Sequence, residues 1–300
     1  MAPGPIAAKH DPVRGILLIV SAVALFVVMD ATAKYLSRHL PVMQIVWARN
    51  LFALVFMALM LRRHRPLTLI RASTSPWLQL VRSMLLFLST YFFFAAIQHI
   101  PLADASSISF VAPLMVTALS VPFLGEQVGV RRWAAVAVGF VGALIIIRPG
   151  PGTLQSASIL PLASATCFAF YQIATRVLAT RDHAFTTSLM SPMVGAVLCS
   201  AVMPFLWQQP AWWGWLLLML VGAIGGFSHF VLIKAYEYAP PPILAPFAYT
   251  NLIWSVSLGY LLFGDLPDRY TALGATIIVS SGLYTLYRER VRRQEKSSSP

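Results

Sequence analysis

Residues 183–233 read HAFTTSLMSPMVGAVLCSAVMPFLWQQPAWWGWLLLMLVGAIGGFSHFVLI and contain no Asp, Glu, Lys or Arg. A helix needs about 20 residues to cross the ~30 Å hydrocarbon core of a bilayer. This stretch is long enough for two such helices, with Gln208-Gln209-Pro210 as the break between them. The segment therefore predicts an integral membrane protein.

The composition of the whole chain agrees with this prediction. Of its 300 residues, 58% are hydrophobic and 11% are charged, whereas soluble domains have about 45–50% apolar and about 25% charged residues. The apolar content excludes a disordered chain. The net charge of +12 does not indicate a nucleic-acid partner, because the basic residues flank hydrophobic segments and form no single patch. The apolar runs are continuous and do not alternate, which excludes a β-barrel and predicts an all-α fold.

Ten segments have the length and composition of membrane-spanning helices. They are residues 15–36, 41–61, 77–98, 104–124, 131–147, 157–178, 184–205, 212–236, 241–263 and 270–287. Proline, glycine or charged residues separate them, as expected of turns between helices.

The distribution of Lys and Arg predicts the orientation. Fifteen basic residues fall in the loops and tails on one side of these segments and four on the other. Positive charge is retained on the cytoplasmic side, so both termini are expected in the cytoplasm. Residues 1–14 then form an N-terminal tail, and residues 289–300 form a basic C-terminal tail.

The sequence repeats itself at an offset of 139 residues. The shift aligns Pro101 with Pro240 and aligns the Gly125-Glu126 turn with Gly264-Asp265. We interpret this as a duplication, with one five-helix repeat in residues 15–148 and a second in residues 149–288. Because each repeat has an odd number of helices, the second enters the membrane from the opposite face. Inverted repeats of this kind are typical of secondary transporters, whose substrate sites lie near the middle of the membrane between the repeats.

The segment from Ala105 to Pro113, the Leu124-Gly125-Glu126 turn and the following helix that ends at Arg148-Pro149 resemble the EamA-type repeat of the drug/metabolite transporter superfamily. The resemblance covers the chain as two five-helix repeats. The second copy departs from the pattern, with Leu252 at the position of Pro113 and Asp265 at that of Glu126. The resemblance implies a bacterial inner-membrane exporter of amino acids and related metabolites, with aromatic or broad-range amino-acid exporters as the nearest analogues.

Two ionisable residues lie deep inside the predicted membrane segments, well away from the segment ends. Asp30 and Arg49 fall at similar depth on the first two helices, and charges at that depth are costly and often functional. Asp30 is a candidate for coupling transport to protons, and Arg49 is a candidate anchor for a substrate carboxylate. The alternative is that Arg49 or Lys34 neutralises Asp30 and that the pair only fastens two helices.

Further candidates for substrate contact are aromatic and polar residues inside the segments, because an apolar pocket with a few polar groups suits an amphipathic metabolite. The full set of binding candidates is Arg49, Asn50, Trp47, Tyr91, Tyr171, Gln172, His229, Tyr249, Asn251 and Trp254. Pro113 and Pro192 are hinge candidates, because proline frees a backbone carbonyl inside a helix. Glu126 and Asp265 either cap the helices that follow them, near Arg131–Arg132 and Arg269, or form ion pairs at a gate.

No catalytic constellation, metal-ligand cluster or cofactor motif is found in the sequence, so we expect neither an enzyme nor a cofactor. The chain contains no phosphate-binding GxxxxGK[ST] loop, which leaves exchange, facilitated diffusion or an ion gradient to drive transport. The expected partners are the lipid bilayer and a small-molecule substrate, not a nucleic acid. Transport of nucleotide derivatives or cationic drugs, and a scaffold that does not transport, remain alternatives, and the sequence leaves monomer and homodimer both open.

Overall fold

The fold is described from a computed structural model, which covers residues 11–60, 73–148, 157–179, 181–182 and 184–297. The predicted tail up to residue 10 and the loop residues 62–71 lie outside the described residues. All regular structure in the described part is helical. The first half of the chain forms α1 (Pro12–Leu36), α2 (Val42–Met60), α3 (Pro76–Ile97), α4 (Leu102–Ser109), α5 (Ala112–Leu124) and α6 (Val130–Ile147).

The second half forms six further helices. These are α7 (Ile159–Leu178), α8 (Ala184–Leu206), α9 (Trp212–Tyr238), α10 (Pro241–Ala248), α11 (Thr250–Phe263) and α12 (Arg269–Ser297). Each predicted segment coincides with one helix or with one closely spaced pair. By length and composition, seven described segments can cross a membrane: Pro12–Leu36, Val42–Leu59, Pro76–Ile97, Leu102–Leu124, Val130–Ile147, Thr186–Leu206 and Trp212–Tyr238.

The sequence repeat recurs in the backbone. Helices α4 and α10 begin and end 139 residues apart, as do the starts of α6 and α12. Gly125 ends α5 with φ = 67°, and Gly264 ends α11 with φ = 73°, a left-handed conformation that favours glycine. In both turns the acidic residue that follows donates its N–H to the carbonyl six residues earlier, from Glu126 to Ser120 and from Asp265 to Gly259. The same helix-ending motif thus closes both copies.

Two of the predicted spans are broken helices. The helix expected over residues 104–124 divides at Phe110 and Val111, next to Pro113, so the predicted bend occurs where the proline lies. Its counterpart divides at Tyr249, although Leu252 replaces the proline. The two residues at the breaks, Phe110 and Tyr249, stack on each other with ring centroids 4.8 Å apart. A proline at the position of Pro113 is therefore not required for the break, although Pro246 lies three residues before Tyr249.

The two halves of the chain interlock. Helix α1 packs on α9, and α3 packs on α7; α2 contacts both α8 and α9, and α6 lies along α12. In the repeat, helices α1 to α6 correspond in order to helices α7 to α12. The contact equivalent to α1–α9 is therefore α7–α3, and the contact equivalent to α2–α9 is α8–α3. Both contacts are present. The pocket described below lies within this interlocked region.

Candidate functional site

A cavity of about 280 Å³ lies between α2, α3, α7, α8 and α9. Its volume is near the lower limit of ligand pockets, which span about 300–1,000 Å³. The wall combines apolar side chains with a few polar ones. The lining residues are Arg49, Asn50, Ala53, Met57, Arg82, Leu86, Tyr171, Thr175, Ser188, Ser191, Pro192, Gly225, Gly226, His229, Leu232, Ile233 and Tyr236.

Arg82 on α3 is the most extensively hydrogen-bonded side chain of this wall, and it is 4% exposed. Its Nε donates to Thr175 Oγ1 at 2.7 Å, and its Nη1 donates to Ser191 Oγ at 2.7 Å and to a backbone carbonyl of α8 at 3.0 Å. Its Nη2 donates to the hydroxyl of Tyr171 at 2.7 Å. Helix α3 is thereby connected to α7 and α8 through one guanidinium group.

Arg49 on α2 faces the same cavity. Its Nε is buried and has no hydrogen-bond partner in the described part of the structure. The carboxylate of Asp30 on α1 is close enough to interact electrostatically with the Arg49 guanidinium, although the two groups are not within 4.0 Å of each other. Asn50 follows Arg49 and packs against Gly195 of α8, where a Cβ atom would lie 2.6 Å from the amide. His229 of α9 meets Phe26 edge-on at 4.9 Å between ring centroids.

The end of the bundle at which α1 finishes, called here the Lys34 end, is closed. Lys34 is buried, and its Nζ donates to Asp265 Oδ2 at 2.7 Å and to the carbonyl of Ile100 at 2.9 Å. The same ammonium lies 5.0 Å from the ring centroid of Phe263. Leu36, two residues after Lys34, is fully buried. Side chains from both halves of the chain thus seal the Lys34 end.

The opposite end, where α7 finishes, is called here the Arg176 end. Its ion pair joins Arg176 Nη1 to Glu126 Oε1 at 3.5 Å, with both side chains about half exposed. The cavity extends toward this end, since its lining runs from Arg49 to Met57 on α2 and from Gly225 to Tyr236 on α9. Glu126 and Asp265 therefore form ion pairs with residues on other helices, which is the second of the two alternatives that the sequence left open.

The family model of the EamA-like transporters matches the chain twice, over residues 13–148 and 155–287. The chain belongs to the EamA-like transporter family. It is a multi-pass membrane protein of the drug/metabolite transporter superfamily, and its relatives transport small metabolites.

Three relatives illustrate the range within this family. The pseudopaline exporter CntI of Pseudomonas aeruginosa is 31% identical over 274 residues, which cover 88% of this chain and 93% of the relative. The riboflavin transporter of Vibrio cholerae is 28% identical and covers 96% of this chain and 98% of its own. The S-adenosylmethionine uptake transporter of Rickettsia felis is 26% identical, with 90% and 91% covered.

A solved crystal structure shares the fold of this EamA-like transporter. It covers 92% of this chain and 98% of the solved chain, with a TM-score of 0.64 and 17% sequence identity. At that identity the likeness concerns the fold alone.

Four predicted binding residues of the transporter meet at the cavity: Arg49, Asn50, Tyr171 and His229, together with the hinge candidate Pro192. The other six binding candidates are not among the lining residues. Trp47 donates its indole N–H to Ser200 Oγ, Tyr91 packs against the core, and Asn251 accepts a hydrogen bond from Ser255. Tyr249 stacks on Phe110, and Gln172 and Trp254 also lie away from the cavity.

Sequence reasoning missed the part that Arg82 plays. The sequence placed Arg82 near a helix end, six residues after the start of α3, where basic residues usually face water. The one available signal was that Arg82 precedes a long uncharged stretch that extends to residue 103. Thr175 and Ser191 were also not singled out, although they accept hydrogen bonds from Arg82. In the described residues no group of three His, Cys, Asp or Glu side chains is arranged to hold a metal ion.

Proposed function

We propose that this EamA-like protein is a secondary transporter that exports small amphipathic metabolites, with amino acids as the leading candidates, across the bacterial cytoplasmic membrane by alternating access. The observation that carries the proposal is the construction of the cavity. Helices α2 and α3 of the first repeat and α7, α8 and α9 of the second all contribute to its wall. Substrate sites between repeats are the pattern expected of transporters built by duplication.

The proposed topology has ten membrane crossings in two inverted repeats, residues 15–148 and 149–288, with both termini in the cytoplasm. Helices α4 and α5 count as one crossing, and so do α10 and α11, because only one or two residues separate the members of each pair. The recurrence of the interhelix contacts supports an approximate twofold relation between the repeats. The excess of Lys and Arg around the Arg176 end supports the orientation.

In this orientation we infer an inward-facing state. The cavity extends toward the proposed cytoplasmic Arg176 end, and the pair of buried Lys34 with partly buried Asp265 lies at the outer end. A substrate enters from the cytoplasm, and export requires the two ends to exchange their open and closed conformations.

The chemistry of the wall supports an amphipathic substrate. Leu86, Leu232 and Ile233 offer an apolar surface, and Arg49 and Asn50 offer polar groups for a head group. The family resemblance supports export, and one relative, the pseudopaline exporter, is an exporter.

A second candidate is the transport of nucleotide derivatives, including uptake. Two observations favour it: one relative is an uptake transporter of S-adenosylmethionine, which is an adenosine derivative without a phosphate, and Arg82 joins Arg49 in the cavity as a second cation that could hold a phosphate. The two candidates differ in the molecule that is transported, and the efflux assay described next distinguishes them.

The experiment is efflux from proteoliposomes that contain the purified protein. Vesicles are loaded in turn with labelled amino acids, S-adenosylmethionine and riboflavin, with and without a pH gradient. We expect at least one amino acid to leave faster than from protein-free vesicles. Failure of every amino acid to move, in vesicles where thermal unfolding confirms folded protein, would refute the amino-acid proposal. Movement of a labelled nucleotide, loaded in the same way, without movement of any amino acid would establish the second candidate.

A further inference from the structure

The cavity carries an excess of positive charge. Two guanidinium groups, those of Arg49 and Arg82, face it, and no Asp or Glu is among the described residues that line it. Asp30 is the carboxylate near Arg49, and no carboxylate of the described residues lies within 4.0 Å of Arg82. All four described acceptors of Arg82 are neutral oxygens. One of the two arginine charges is therefore uncompensated.

An uncompensated charge in this position is costly. Charged groups inside a membrane protein normally pair with an opposite charge, because the low-dielectric surroundings replace water poorly. The neutral hydrogen bonds hold the guanidinium of Arg82 in place without cancelling its charge. They use four of its five N–H groups and leave one on Nη2 for a ligand.

Arg49 offers a second donor. Its buried Nε has no partner in the described structure, so its N–H is also available. His229 lines the same cavity as both arginines. The two available N–H groups and the surplus charge face one cavity of about 280 Å³.

We infer that the transported substrate carries a carboxylate, and that Arg82 together with Arg49 binds it. The inference rests on the proposed transport function; it adds Arg82 to the carboxylate-binding residues and restricts the amphipathic metabolites to those that carry a carboxylate. A carboxylate accepts two hydrogen bonds from guanidinium groups and supplies the missing negative charge. The inference excludes cationic drugs as substrates, because such a drug would add a third positive charge to the cavity.

The test is competition in the proteoliposome assay, with a transported amino acid as the labelled substrate. The unlabelled competitors are the same amino acid, its carboxamide and the amine that lacks the carboxyl group. We expect the two analogues without a carboxylate to compete at least tenfold more weakly. Transport by Arg82→Met is expected to fall at least tenfold, and the matched surface variant Arg14→Met is expected to remain within twofold of the wild type.

The outcomes separate the inference from the function on which it rests. If no amino acid moves, the proposed function fails. If amino acids move but the carboxamide competes as well as the acid, the function stands and the carboxylate inference is refuted. If Arg82→Met does not fold, the competition series on the wild type still decides, because it needs no variant.

A second inference concerns the ion pairs at the two ends. Glu126 and Asp265 are equivalent in the 139-residue repeat, and Lys34 and Arg176 follow the matching residues Thr32-Ala33 and Ala174-Thr175. Lys34–Asp265 and Arg176–Glu126 are thus the same ion pair in the two copies. The two pairs differ in geometry. Lys34 Nζ lies 2.7 Å from Asp265 Oδ2, and these side chains are 9% and 31% exposed. Arg176 Nη1 lies 3.5 Å from Glu126 Oε1, and these side chains are 50% and 48% exposed.

We propose that the two pairs are alternating latches. The Lys34–Asp265 pair holds the outer end closed while the Arg176–Glu126 pair is loose. When the Arg176 end closes, its pair becomes buried and the Lys34–Asp265 pair separates. Each latch joins one repeat to the other, so its formation depends on how the repeats are arranged.

The test measures the distance between spin labels attached at Arg38 and Leu266, two exposed residues at the Lys34 end, in a protein whose native cysteines have been replaced. We expect Lys34→Met and Asp265→Asn to lengthen the distance between the labels, while Arg176→Met leaves it unchanged. The exchanged pair, Lys34→Asp with Asp265→Lys, is expected to restore the short distance. Equal distances in the wild type and in both single variants would overturn the proposal.

Discussion

Asp182 allows a quantitative test of the way the two halves are joined. It lies in the turn between α7 and α8 and accepts four hydrogen bonds from the start of α3: from Ser73 Oγ at 2.6 Å, from Thr74 N and Oγ1 at 2.8 and 2.7 Å, and from Gln79 Nε2 at 2.8 Å. Burial alone would raise the pKa of Asp182, but the hydrogen bonds from Ser73, Gln79 and Thr74 lower it to about 2.

The size of the effect follows from this pKa. The ordinary value is 3.8, and at 1.36 kcal/mol per pH unit the difference corresponds to roughly 2.4 kcal/mol. Because the turn is partly exposed to water, we expect Asp182→Ala to cost about 1–2 kcal/mol of unfolding free energy. This amounts to a fall in Tm of roughly 2–6 °C.

The assay is thermal unfolding of the detergent-purified protein, followed by tryptophan fluorescence. Glu237→Ala is the control, because Glu237 forms a half-exposed pair with Lys234 on the same helix, and such pairs contribute about 0–1 kcal/mol. A lowered carboxyl pKa stabilises the fold above the ordinary pKa, and this contribution is lost as the pH falls toward the lowered value. The difference in Tm between the wild type and Asp182→Ala should therefore persist at pH 5–8 and shrink below about pH 4. An equal Tm at neutral pH, or a gap that widens in acid, would refute the reasoning.

Two further predictions follow from buried positions. Asp30→Asn is expected to abolish the dependence of transport on a pH gradient while exchange continues, as measured in proteoliposomes with and without the gradient; undiminished pH-sensitive export would eliminate a proton-carrying role. Gly274→Val is expected to lower the Tm by more than 5 °C, because a Cβ atom at this position would lie 2.5 Å from the carbonyl of Gly142 on α6. Gly129→Ala, which meets nothing within 4 Å, is its control, and an equal Tm for both variants would contradict the close contact of α6 and α12.

The sequence predicted the positions of the helices well, because a bilayer requires long apolar segments and the turns between them carry proline, glycine or charge. It also predicted the equivalence of Gly125 and Gly264, since only a residue tolerant of positive φ suits that turn. The break at Tyr249 was not predicted, because Leu252 stands where the first repeat has Pro113; the signal that could have indicated it is Pro246, three residues before the break.

The candidate site was harder to predict, mainly because the sequence does not show how each helix is rotated about its axis. Helices that are apolar on every face give no preferred inward side, so Trp47 and Asn50 looked equally suitable as binding residues. Only the packed structure shows that Asn50 faces the cavity and that Trp47 bonds to Ser200. Long-range partners such as Lys34 and Asp265, 231 residues apart, are likewise set by tertiary packing.

The most direct test of the central claim, that the cavity between the two repeats carries a small metabolite across the membrane, is counterflow in proteoliposomes. Vesicles preloaded with an unlabelled amino acid at high concentration are diluted into a trace of the same labelled amino acid. We predict that the wild type accumulates label transiently above the external concentration and that Arg49→Met does not. Equal entry of label into preloaded and empty vesicles, for every amino acid tested with folded protein, would contradict carrier-type transport through this cavity.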